Sequence, residues 1–142
     1  TFEEMNVWIQ RHDFNSTDLA DTTVDNALNQ FETTDWATED RLASRKQDPG
    51  EEFCSAGIGF VHPSGTILHL CPDGSGRMMM HYHYTISRRI LGIFPKSTQE
   101  TVTIESVPEH EAESMIRLHY SNNSDAILEA AKRIEQAEEP KP

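Results

Sequence analysis

The 142-residue chain carries 24 acidic and 12 basic side chains, for a net charge of -12, and 36% of its residues are hydrophobic. That length suits one domain with a modest core. So acidic a chain repels nucleic acid and anionic membrane surfaces while attracting basic proteins and cations, and no apolar run reaches the roughly 18 residues that a membrane crossing needs.

The acid is unevenly placed. Residues 1–52 hold thirteen acids against four bases, residues 53–98 hold one against four, and residues 99–142 hold ten against four. The chain therefore reads as one α+β domain over residues 1–142. It has an acidic helical part at 1–52, a mainly antiparallel sheet of five or six strands at 53–120, a helix at 124–137 and a frayed tail at 138–142. The N-terminal and C-terminal helices are expected on one face of the sheet.

In chain order, Phe2, Met5 and Ile9 fit one side of a short amphipathic helix. A second helix is predicted behind a cap at Asn15 or Ser16, with Asp18 and Asp21 near its positive end and Ala20, Val24, Ala27, Leu28 and Phe31 along one stripe. Trp36 starts a shorter helix reaching Leu42, capped by Thr34 or Asp35. Asp48, Pro49 and Gly50 then make a turn.

The centre alternates instead. Strands are predicted at 53–61, 66–71 and 77–86, the first two joined by a turn centred on Pro63 and Ser64. In that register Cys71 faces Ala56, and Gly57 and Gly59 leave room for Leu68 and Leu70. Bulk on both faces of Met78 to Ile86 marks an interior strand. Arg88 and Arg89 mark a turn or an exposed step, and Glu100 to Glu105 alternates through Val102 and Ile104.

Residues 106–120 satisfy two patterns. Ser106 and Glu109 resemble a capping box with Ala112, Met115 and Ile116 at helical spacing, whereas Ile116, Leu118 and Tyr120 alternate with Arg117 and His119. The reading taken is a hairpin, with 107–113 as an acidic loop and Met115 to Tyr120 as a strand. Ser124 then caps a last helix with Ile127, Leu128, Ala131 and Ile134 inward.

Three constellations could carry function. His81 and His83 point to one side of a strand, and His69 on the neighbouring strand could complete three nitrogen ligands for a catalytic metal. Cupins carry a related pair, but the glutamate that follows it in them has no counterpart here. Met78, Met79 and Met80 divide between two strand faces and read as core filling. Cys54 and Cys71 sit in apolar strands without a glycine-rich elbow, which argues against a nucleophilic thiol. They are expected to be reduced in a cytoplasmic protein; a disulfide between them would place the chain in the periplasm or outside the cell.

The third constellation surrounds Trp36. Asp35, Glu39, Asp40, Asp48, Glu51 and Glu52 place carboxylates around one aromatic side chain, and Glu109, Glu111 and Glu113 add an acidic loop. Charge steers encounter with a basic protein, and a buried aromatic supplies the central contact. Small bacterial immunity proteins resemble this chain in size and acidity, although no motif carries that resemblance. The expectation is an immunity-type inhibitor, not an enzyme and without a cofactor, that occludes a basic toxin or effector enzyme. A small metal-dependent enzyme using His69, His81 and His83 is the alternative, and a secretion or assembly chaperone the second.

Overall fold

The computed structural model describes residues 5–13, 15–20, 22–44, 56–73, 75–90 and 94–138. Six strands, β1 (Asn6–Gln10), β2 (Ser16–Leu19), β3 (Gly57–Val61), β4 (Ile67–Pro72), β5 (Met78–Ile90) and β6 (Phe94–Val107), form one sheet in the order β2-β1-β3-β4-β5-β6. Every neighbouring pair is antiparallel. Four helices, α1 (Val24–Thr33), α2 (Trp36–Ser44), α3 (Glu109–Tyr120) and α4 (Ser124–Glu138), complete an α+β domain. None of the described helices is long and apolar enough to cross a membrane.

The start of the chain obeys the strand period. Met5, Val7 and Ile9 are buried on one side of β1, so the expected opening helix is replaced by an interior strand. Its β-branched Val7 and Ile9 suit a pleated surface. Ser16 to Leu19, read as a cap and first helical turn, form the short polar edge strand β2. Helix α1 begins only at Val24, where the Asn26 amide donates to Thr23 Oγ1, and it buries Ala27, Leu28 and Phe31 as the stripe predicts. Asp35 caps α2 by accepting from the Thr38 amide and hydroxyl.

Between β3 and β4 the turn is one residue longer than expected. The Gly65 amide donates to the His62 carbonyl, the His62 amide donates to the Thr66 carbonyl, and Gly65 takes the left-handed φ of 95° that closes a three-residue hairpin. Ile58 consequently faces Leu70, Gly59 faces His69 and Phe60 faces Leu68. A slip of one residue exchanges the two faces of a strand. Leu68 and Leu70 therefore join Ile58 and Phe60 in the core, and the space above the glycines is filled by Trp8 and His69 instead of leucines. Cys71, 6% exposed, is a free thiol on the same side as His69, while Cys54 lies outside the described residues.

Strand β5 is interior, as its two bulky faces suggest, but it runs through Arg88 and Arg89 instead of turning there. Its pairing with β4 ends at His83 opposite Ile67, whereas its pairing with β6 continues to Ile90 opposite Phe94. The hairpin thus extends past β4 as a two-stranded arm.

The expected strand at 115–120 is the helix α3. Ala112, Met115, Ile116 and His119 are all buried, at positions i, i+3, i+4 and i+7. His119, 1% exposed, completes that stripe: its Nε2 donates to the Phe60 carbonyl at 2.9 Å, and its ring meets the Tyr82 ring edge-on at 6.0 Å. Counted as polar it suggested a strand; as a neutral ring it serves as a helical core residue. Pro108 precedes α3 without a side-chain cap, so the Ser106–Glu109 box does not form. Asn123, not Ser124, caps α4 by accepting from the Ala126 amide, and Ser124 instead meets the Tyr82 hydroxyl at 2.7 Å.

Two outcomes follow from this packing. A Cβ at Gly59 would lie 2.1 Å from Cε2 of Trp8. Overpacking of this kind costs about 1–3 kcal/mol, so Gly59→Ala is expected to lower stability in urea titration, and a Trp8→Ala background should remove most of the loss. Equal loss in both backgrounds would place the strain in the backbone.

Burial lowers the His119 pKa to about 4, and Nδ1 of the same ring is buried without a partner. The unfolded chain binds this proton near pH 6.5 and the folded chain only near 4. The contribution to stability is therefore complete above pH 6.5, is lost as pH falls towards 4, and amounts to roughly 3 kcal/mol. His119→Gln, which keeps a donor for Phe60, is expected to flatten that part of the stability profile.

Candidate functional site

Where α1 gives way to α2, a cleft of about 540 Å³ opens towards the end of β4, the start of β5 and the first turn of α3. Its walls include Trp36, Pro72 and Met78, and the acidic residues Glu32, Asp35, Asp40 and Glu109 line it as well. Arg41 and Arg77 line it too, leaving carboxylates in excess. Arg77 reaches across to the Ser106 carbonyl at 3.5 Å.

Helix α3 explains the division of labour among its acids. Glu109 and Glu113 are four residues apart and share one side of the helix. Burial raises the Glu113 pKa above its ordinary value, and Glu32, by repulsion and by a side-chain hydrogen bond, and then Glu109 by repulsion reinforce that shift. Arg117 only partly opposes it. Glu111 faces elsewhere and accepts both Arg133 guanidinium nitrogens, at 2.9 and 3.0 Å, which ties α3 to α4. It contributes to the fold more than to the cleft.

The acids around Trp36 divide in the same way. Asp40 lines the cleft, whereas the carboxylate of Asp35, also a cleft residue, is engaged in capping α2. Those Thr38 bonds hold the Asp35 pKa below its ordinary value. Glu39 is only 7% exposed and turns inward. Burial acts to raise its pKa, but hydrogen bonds from the His12 ring and amide, together with the charges of His12 and Arg11, hold it low. It anchors the β1–β2 turn.

Trp36 is 8% exposed and its Nε1 donates to the Phe31 carbonyl at 2.9 Å. Its ring already packs on Phe31, so it forms part of the cleft wall and does not project as a free anchor. Asp48, Glu51 and Glu52 lie outside the described residues. The sequence reading missed Glu32, Pro72, Arg77 and Met78. Glu32 lies exposed in the last turn of α1, and its place in the cluster depends on α3, which is distant in sequence.

On the face of the sheet opposite Phe60 and Leu68, one register row crosses all six strands. Asp18, Trp8, Gly59, His69, His81 and Thr103 stand in line. Glycine at the third position lets the Trp8 ring lie over the backbone, with ring centroids 4.9 Å from Trp8 to His69 and 5.8 Å from His69 to His81. His69 Nε2 approaches Cys71 Sγ at 3.2 Å. Burial, then the nearby His81 and His83, lower the His69 pKa to about 4, while burial lifts Cys71 to about 11. Both groups are therefore neutral at pH 7, and the pair holds no thiolate nucleophile.

His69 and His81 stack, with 21° between their planes, and His69 Nε2 lies against Cys71 Sγ, so His69 does not complete the three-nitrogen set offered as the alternative. Among the described residues no group of three or more His, Cys, Asp or Glu side chains could hold a metal ion. No family model, curated protein or solved structure matches the chain.

If Glu32 raises the Glu113 pKa, Glu32→Gln is expected to return the Glu113 titration towards the ordinary carboxyl range. Stability at pH 7 should then equal or exceed that of the parent. Carboxyl carbon NMR during a pH titration, with parallel urea unfolding, checks both; an unmoved Glu113 would assign its shift to burial and Glu109 without Glu32.

Proposed function

We propose that this chain is a dedicated binding protein for a basic partner, of the immunity type, and that the cleft beside Trp36 is where a cationic surface of a toxin or effector enzyme is received. The supporting observation is the gathering of Glu32, Asp40 and Glu109 from distant parts of the sequence around an opening with apolar walls, with Glu113 close to Glu32 and Glu109.

Like charges at this spacing cost stability in the free protein. A cationic partner removes the repulsion on binding. The lysine or arginine head would meet the carboxylates, and its aliphatic stem would lie along Trp36, Met78 and Pro72. Electrostatic attraction over the acidic flanks would speed encounter, and occlusion of the partner's own site would follow from the bulk of the domain.

A hexa-arginine peptide titrated into isotopically labelled protein tests the chemistry. Amide shifts are expected at residues 32–41, 76–78 and 109–113. Affinity should fall as salt rises from about 0.01 M to about 0.1 M, which shortens the screening length from about 30 Å to about 10 Å. Combining Glu32→Gln, Asp40→Asn and Glu109→Gln, which spares the Asp35 cap, should weaken binding by roughly tenfold. Shifts confined to the Trp8–His69 face, or unchanged affinity in the triple variant, would refute the assignment of the cleft.

A further inference from the structure

We propose that His81 and His83 form a surface chelating pair for late first-row divalent cations such as zinc, nickel or copper(II), with the remaining coordination positions left to water or to a group from a partner. The observation is the way β6 holds both rings. Residues two apart on β5 point to the same side. Each ring is then met by the threonine directly across the ladder, His81 Nδ1 by Thr103 Oγ1 at 3.0 Å and His83 Nδ1 by Thr101 Oγ1 at 2.8 Å.

In the tautomer whose Nδ1–H donates to the threonine, Nε2 of each ring carries the free lone pair. This is the arrangement in which a metal-binding imidazole is oriented by a second residue on its other nitrogen. His83 is exposed and His81 half-buried, and no described side chain bonds the Nε2 of either.

His69 stacks behind His81 with its Nε2 at Cys71, so it supports the pair without joining it. Two imidazoles and no carboxylate in the pair favour zinc, nickel and copper(II) over calcium and magnesium, which prefer oxygen donors. That preference distinguishes this site from the acidic cleft, where any cation is attracted by charge.

Zinc chloride titrated into the full chain, followed by histidine side-chain NMR and calorimetry, reads the site directly. One ion per chain is expected, with shifts concentrated on His81 and His83, and calcium chloride should leave both rings unmoved. His83→Gln, at an exposed position, should abolish the event with the melting temperature unchanged. Thr101→Val and Thr103→Val keep both imidazoles and should each weaken zinc binding about tenfold by releasing ring orientation. Zinc binding that persists in His83→Gln, equal response to calcium, or full affinity in both threonine variants would overturn the proposal.

Discussion

The register between β3 and β4 is the constraint on which the remaining geometry rests. Gly65 provides a left-handed residue that closes a three-residue turn, and that turn sets Ile58 against Leu70. With a two-residue turn the same two strands would exchange faces: the leucines would stand over the glycines, and His69 would enter the core. The observed register places Ile58, Phe60, Leu68 and Leu70 together beneath α3, where His119 bonds the Phe60 carbonyl. It also clears a flat strip over Gly59 for Trp8 and His69. One turn therefore decides both the core and the chemistry of the opposite face.

Helix α3 links that core to the proposed binding surface. Its buried side ends in His119, a ring kept neutral by burial, while its first turns present Glu109 to the cleft and Glu113 to Glu32. Apolar packing against the sheet stabilises the helix strongly enough to hold like charges together at its other end. The acid is thus arranged in two ways. Glu39 is paired with Arg11 and hydrogen-bonded to His12, Glu111 is paired with Arg133, and both hold elements together, while the acidic residues of the cleft outnumber its basic ones.

Much of the site was legible only in part. Asp35, Trp36, Asp40 and Glu109 could be singled out from composition, and all four line one cleft. Which acids are occupied could not be read from composition, because Glu39 finds its partners 27 and 28 residues away and Glu111 finds Arg133 22 residues away. The histidine pair was legible as a strand pattern. Its orientation by Thr101 and Thr103 required the β5–β6 register, which residues 81 and 83 do not encode by themselves.

By itself the sequence determined the α+β class, the antiparallel central strands, the stripes of α1 and α4 and the separation of acidic flanks from a nearly neutral centre. Those features depend on local periodicity and on counting charges. Tertiary structure alone decided that Met5 to Ile9 extend, that residues 109–120 coil, and that the glycines face rings instead of leucines. The physical reason is common to all three. Met5, Val7 and Ile9 suit a strand only with β2 and β3 beside them, His119 counts as apolar only once Phe60 and Tyr82 surround it, and a strand's face is fixed by the turn that sets its register.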